Sequence, residues 1–282
     1  MSEPLRTETR DGVRVLTLAR PAEYNTINPA LRDALAAELD SAEADREVRV
    51  VLLRADGPAF CAGYQLDWAT AGQAAAESTS PRVWDSVVDL QMIGRYARTW
   101  AKLHTLSKPT IAAVQGWCIA GGTNMVLNAD LIVCSESARF GYPPMRVWGI
   151  PEAPWVWVAR MGLERAKRFL FTGDEIGGRQ AAELGLVLEC VPDDALDDRS
   201  FALARRIAML PLEQLQMIKW ALNETAREMY APDTSRLLGC LFDGVARHTQ
   251  EGLDFVARSV EVGFRQAVRE RDDPFGDYGS RR

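Results

Sequence analysis

The period of the apolar residues changes along the chain, and it divides the chain in two. Val13 to Leu18 mixes Val and Leu with Arg and Thr and predicts a first strand, ended by Arg20-Pro21. From Pro29 to Ala44, Leu31, Leu35, Leu39 and Ala42 recur at the spacing of one helix face. Val48 to Leu53 is nearly all apolar, as a strand buried on both faces of a parallel sheet must be. Val83 to Leu106 predicts a long helix, Thr110 to Val114 and Leu131 to Cys134 two further strands, and Gly121 the start of a helix between them. Residues 67–80, rich in Ala, Gly, Ser and Thr, read as a mobile connection. Strand, crossover helix, strand in this order predicts a parallel sheet with right-handed crossovers.

Beyond Pro151 the strand signals thin out. Helical periods run from about Trp155 to Phe171 and from Leu196 onward, with Leu212 to Met229 and Ser235 to Glu270 mostly helix. The expected organisation is an α/β core over residues 1–190 and a helical part over 191–282, fraying from Asp272.

Composition narrows the function more than the fold. Apolar residues make up 47% of the 282 and charged residues 26%, an ordinary globular balance. A net charge of −6 without a basic stripe argues against nucleic acid as a partner. No apolar run approaches the roughly 18–20 residues that span a bilayer, so no membrane association is expected. The charged start, Met1 to Arg10, has no signal-peptide core. Five Cys without a CxxC pair speak against a disulfide framework or a zinc site and suit a reducing, cytoplasmic setting; no metal is expected. The only two His, His104 and His248, read as structural, which leaves a Ser-His pair or His cluster without raw material.

Two segments can carry chemistry. One is Ala59-Phe60-Cys61-Ala62-Gly63-Tyr64-Gln65-Leu66; the other runs from Val114 through Gly116, Gly121 and Gly122 to Asn124. Each follows an apolar strand, and small residues let a ligand approach the backbone. Gly121 and Gly122 stand where a helix begins, so unpaired N–H groups are available to an anion. Two such N–H groups facing one oxygen form an oxyanion hole. Taken singly, either segment is equally an ordinary glycine turn.

In order along the chain, these segments join others. They are Arg20-Pro21-Ala22-Glu23-Tyr24-Asn25, Ala129-Asp130-Leu131-Ile132, Phe140-Gly141, Gly149-Ile150-Pro151, Phe171-Thr172-Gly173 and Ala181 to Val187. The series resembles the crotonase superfamily, the enoyl-CoA hydratase/isomerase family, over most of the chain. The resemblance implies a spiral core of ββα turns with a C-terminal helical part that mediates assembly as a homotrimer or a dimer of trimers. It implies an acyl-CoA substrate and no cofactor beyond the coenzyme A that the substrate carries. The oxyanion donors would be the N–H groups of Tyr64 and Gly121. Ala62, Trp68, Trp84, Pro144 and Trp148, with Tyr96 and Trp100 nearby, would border the acyl pocket.

The chain departs from the family where hydratases carry two glutamates. Asn124 stands at the first position and Pro144 at the second, and neither side chain takes a proton. Glu152, directly after Gly149-Ile150-Pro151, is the remaining carboxylate; in some relatives a carboxylate at the matching position acts as base or nucleophile. Walled by Trp148, Trp155 and Trp157, it would have a raised pKa and serve as acid and base. Its plain alternative is a first-turn residue balancing a helix dipole. Asn124 would orient a water or the acyl group, or sit as a satisfied helix amide. Asp85 and Asp89 offer a second acid/base or a solvated helix face. Tyr142 and Arg146 offer partners for Glu152 or for a substrate carboxylate. Lys219 reads as a surface residue.

The expected activity is that of the enoyl-CoA hydratase/isomerase type, acting through a thioester enolate by double-bond isomerisation or by hydration and dehydration. One carboxylate suits the double-bond shift, because it can remove and return the same proton. Two alternatives stay open. One is a non-catalytic acyl-CoA-binding protein that keeps the fold. The other is a thioesterase or dehalogenase with Glu152 as nucleophile, for which no His matches a general base.

Overall fold

A computed structural model describes residues 3–65 and 85–278. Its strands form two sheets. The larger has the order β1 (Leu5–Arg10), β2 (Val13–Leu18), β3 (Val50–Ala55), β5 (Thr110–Val114), β7 (Leu131–Ser135) and β10 (Glu189–Val191). The smaller has β4 (Ala59–Cys61), β6 (Trp117–Ile119), β8 (Arg139–Gly141) and β9 (Ile176–Gly177). From β2 onward the larger sheet is parallel, as are β4, β6 and β8 in the smaller; β1 and β9 are antiparallel to their neighbours. The successive pairs β3–β4, β5–β6 and β7–β8 each give one strand to each sheet, so the chain climbs as a spiral of ββ turns.

Alternation along the central strands sorts the core into two layers. Val51 and Leu53 face Leu16, Leu18, Leu31, Leu35 and Leu39, the buried stripe of the Pro29–Ala44 helix. Val50 and Leu52 face Val13, Val15, Ile111 and Val133, closed over by Leu196, Ala204 and Ala208 of the Leu196–Ala208 helix. Both faces of the sheet are therefore covered, which is why these strands are apolar runs rather than alternating ones. Each fully buried Leu contributes about 1.5–3 kcal/mol.

Val13–Leu18 is the second strand, not the first. Leu5–Arg10 precedes it as an edge strand in which only Leu5 is buried, and its charged side chains hide the strand signal. The turn between them was legible, however: Asp11-Gly12, with φ of 52° and 75°, is a two-residue hairpin turn, and Arg10 pairs with Val13. The helical stretch from Trp155 is two helices, Trp155–Met161 and Leu163–Thr172, broken at Gly162 where φ is +83°. The long second helix is described from Ser86 to Thr105; the connection expected over 67–80 lies outside the described residues.

Beyond β10 the described chain is helical, through Leu196–Ala208, Leu212–Tyr230, Pro232–Ala246, Gln250–Val262 and Phe264–Asp272. Fraying from Asp272 does not occur in the described residues, because Asp272 and Asp277 are buried against Arg146. Among the described residues no helix is long and apolar enough to cross a membrane.

Candidate active site

The small sheet brings the two glycine segments together. β4 pairs with β6, Cys61 opposite Cys118, and β6 pairs with β8, Ile119 opposite Gly141. All three run the same way, so the residues that leave their carboxyl ends emerge side by side, where parallel sheets collect ligands. Gly63 has φ +94°, and a Cβ there would stand 3.1 Å from Ala120 Cβ and 3.8 Å from Gly121 N. A Cβ on Gly121 would come within 2.7 Å of the Tyr64 ring and 2.8 Å of Ile27 Cδ1, so a side chain there would have to displace the Tyr64 ring and Ile27. Arg20 and Asn25 hold the outer side of this junction. Asn25 Nδ2 donates to Asp56 O and Ala59 O, both at 2.9 Å, and Arg20 reaches Thr26 O and Gln65 Oε1.

Neither key amide is spent within the fold. Tyr64 forms a parallel bridge with Ile27, through Ile27 N–H to Gly63 O at 2.9 Å and Gln65 N–H to Ile27 O at 2.8 Å. In that pattern the intervening residue directs its own N–H away from the partner. The N–H groups of Tyr64 and Gly121 enter no backbone hydrogen bond among the described residues. Ala120, just before Gly121, is forced to φ 51° and ψ −117°, a conformation costing about 1–3 kcal/mol in a non-glycine residue. It is held there by its N–H to Gly141 O and by Asn124 N–H to its carbonyl, both at 3.0 Å.

Glu152 meets this junction from the loop after Pro151. It is only 3% exposed, and its Oε1 accepts the Tyr64 hydroxyl, which in turn accepts Trp100 Nε1–H at 3.4 Å. Its Oε2 is buried and has no partner among the described residues. Burial pushes the carboxyl up to about 8; the Tyr64 hydrogen bond opposes this, Asp243 adds to it, and Arg247 and Asn124 oppose it more weakly. Asn124 is buried, and its Nδ2 is also without a partner. It lies beside Glu152 and Tyr142 and favours the anion of each, without closing a hydrogen bond through Nδ2. A cavity of about 580 Å³ opens on this cluster, lined by Ala62, Tyr64, Tyr142, Pro144, Trp148 and Glu152 among others.

The sequence model of the Enoyl-CoA hydratase/isomerase family matches residues 8–258. The chain belongs to that family. It is 31% identical over 249 residues to the hydroxycinnamoyl-CoA hydratase-lyase of Pseudomonas fluorescens, covering 83% of this chain and 86% of that one. It is 31% identical over 227 residues to the 1,2-epoxyphenylacetyl-CoA isomerase of Escherichia coli, covering 79% and 83%. The crystal structure of an enoyl-CoA hydratase from Mycobacterium smegmatis is similar throughout, with a TM-score of 0.92, 42% identity, and coverage of 100% and 97%. The crotonase fold and an enzymatic activity of the enoyl-CoA hydratase/isomerase type follow; the reaction within that type does not.

Set against the family pattern, the site gathers some expected residues and rejects others. Ala62, Pro144 and Trp148 border one cavity with Glu152, and Tyr96 lines it too. Trp68 and Trp84 lie outside the described residues. Trp155 and Trp157 do not wall Glu152: Trp155 packs on His104 and Tyr230, and Trp157 is 1% exposed in the core. Arg146 is no partner for Glu152, because its guanidinium is consumed by Asp272, Asp277, Asp174 and Thr172 O. Asp85 caps the Ser86–Thr105 helix, and Asp89 is buried against His248 at 2.8 Å rather than solvated. Lys219 is not a surface residue: it is 5% exposed and reaches Asp130, Leu103 O and Lys108 O.

Sequence reading had Tyr142 near Glu152 but missed the Tyr64 hydroxyl, Asp243 and Arg247. Tyr64 was chosen for its backbone alone. Asp243 and Arg247, at i and i+4 on a helix, have the spacing of a surface ion pair. Nothing local ties Asp243 to Ile150, 93 residues away along the chain.

Proposed function

We propose that the chain shifts the double bond of an enoyl-CoA thioester, with Glu152 carrying the proton. The N–H groups of Tyr64 and Gly121 hold the thioester oxygen as it gains charge. Glu152 removes a proton from the acyl chain to give the enolate and returns it at another carbon. The observation that carries this reading is the buried Glu152 carboxyl, whose Oε2 has no partner among the described residues, near the Tyr64 and Gly121 amides, which make no backbone hydrogen bond among them. Asp243, the other buried carboxylate at the cavity, is engaged by Ile150 N–H and Arg247. One carboxylate suffices for removal and return of one proton. Loss of one oxyanion donor typically costs about 10²–10³ in rate. The step needs no cofactor beyond the coenzyme A of the substrate.

Hydration is a second reading, and one observation favours it. The partnerless Asn124 amide beside Glu152 offers a hydrogen-bond donor to a water. Turnover of 2-enoyl- and 3-enoyl-CoA thioesters in heavy water, followed by mass spectrometry, separates the two. A shifted double bond without a gain of water supports isomerisation, with deuterium entering only as far as the Glu152 proton exchanges with solvent, and a gain of water supports hydration. Neither change in any of these thioesters overturns both readings.

The reading extends to assembly as a homotrimer or dimer of trimers. Met217, Trp220, Leu222, Leu238 and Phe242 expose large apolar surfaces on the helices after β10, which solvent alone does not favour. Light scattering on the purified chain tests it, and a monomer overturns it.

A further inference from the structure

The loop that carries Glu152 is fastened at Ile150. Its N–H donates to Asp243 Oδ1 at 3.1 Å, and its carbonyl accepts the Tyr142 hydroxyl at 3.0 Å. The Pro232–Ala246 helix lies flush behind the loop. A Cβ on Gly239 would stand 2.6 Å from both Pro151 O and Glu152 O, so no side chain larger than hydrogen fits at this contact. One turn on, Asp243 is 4% exposed, and its Oδ2 accepts Arg247 Nε–H at 3.2 Å and Nη2–H at 2.8 Å. Arg247 lies over Trp148, with its guanidinium carbon 5.5 Å from the ring centroid, and both Asp243 and Arg247 line the cavity.

We infer that Asp243, braced by Arg247, is a positioning residue that holds the loop carrying Glu152 in place from the C-terminal helices, through Ile150. This rests on the proposed role of Glu152. The groups that face Glu152 are Tyr64 and Tyr142 from the strand ends, Asn124 from the Gly121–Val126 helix, and Cys240, Asp243 and Arg247 from the C-terminal side. Of these, Asp243 is the anion and Arg247 the cation, and they act on Glu152 in opposite senses: Asp243 favours the neutral carboxyl and Arg247 the carboxylate.

The test is the pH profile of kcat/KM in Asp243→Asn and Arg247→Gln. Asn keeps an oxygen for Ile150 N–H and loses the charge, so the limb assigned to Glu152 moves down by about one pH unit. Arg247→Gln moves it up by a similar amount. Asp243→Leu, which also releases Ile150, shifts the limb like Asp243→Asn and in addition lowers kcat about tenfold on the plateau above it, while KM changes little. Infrared titration of the protonated carboxyl band, assigned by its loss in Glu152→Gln, reads the same shifts without turnover. Shifts of one sign in both variants, or no shift, overturn the inference. Full turnover by Glu152→Gln instead overturns the role of Glu152 itself, and the infrared titration still decides whether Asp243 and Arg247 act on its carboxyl.

Discussion

Two buried polar clusters in this protein are built to opposite rules. Around Arg146, whose side chain is 2% exposed, hydrogen bonds at 2.8–3.4 Å reach Asp174, Asp272, Asp277 and the Thr172 carbonyl, and Phe275 stacks on the guanidinium at 3.8 Å. Around Glu152, its Oε2 and Asn124 Nδ2 are buried with no partner among the described residues. An unpaired buried polar group costs about 1–3 kcal/mol, so two of them side by side are a burden that packing alone would not retain. The indoles of Trp155 and Trp157 are also unpaired, but neither adjoins the cavity that Glu152 lines. The first cluster is complete without a ligand and pins the chain's end to the core. The second is complete only when something enters the cavity.

The sharpest way to break this contrast is to remove the carboxyl. Glu152→Gln should lower kcat by about 10²–10⁴, the usual contribution of a general acid–base, and leave the fold intact by circular dichroism. The pH dependence follows from the raised pKa. In the wild type, kcat/KM rises with pH to a plateau above about 8, because Glu152 must be ionised to take the first proton. Stability runs the other way. The fold holds this proton more tightly than the unfolded chain does. That contribution is complete below the ordinary value of 4.5 and is lost as pH rises through about 8. Denaturant melts of Glu152→Gln across that range should lack the slope.

Arg146→Ala sharpens the contrast from the other side. It takes the guanidinium away from buried Asp272 and Asp277, with Arg271 remaining on Asp272, and should cost about 3 kcal/mol in urea melts, while turnover per folded molecule stays near wild type. Tyr64→Phe is smaller. Losing a hydrogen bond that favours the Glu152 anion should reduce kcat about tenfold and move the pH limb above that of the wild type. Asn124→Ala is the smallest in stability, about 1 kcal/mol or less, since its Nδ2 gives up no hydrogen bond. Its use is in the reaction: proton exchange with heavy water should persist, and any addition of water should be lost.

Much of the fold was legible because burial on both faces leaves a local record. The β3 run, the stripe of the Pro29–Ala44 helix and the β5 strand stand within a residue or two of their expected bounds. The β1 strand was hidden because an edge strand is specified by its partner rather than by its own apolar residues. Lys219 and Arg146 misled for a related reason. A long cationic side chain has the same letter whether it meets water or a buried carboxylate.

Ordered glycines, small residues and strand ends were enough to identify the family, and the resemblance in turn pointed to the amides of Tyr64 and Gly121 and to Glu152. These depend on backbone conformation and local spacing, which the chain carries in itself. The tertiary structure alone decided that the Tyr64 hydroxyl closes one oxygen of Glu152, that Asn124 stays unpaired, and that Asp243 reaches Ile150 from the C-terminal helices. Those contacts join residues far apart in the chain, and their energies exist only after packing has brought them together and removed the water between them.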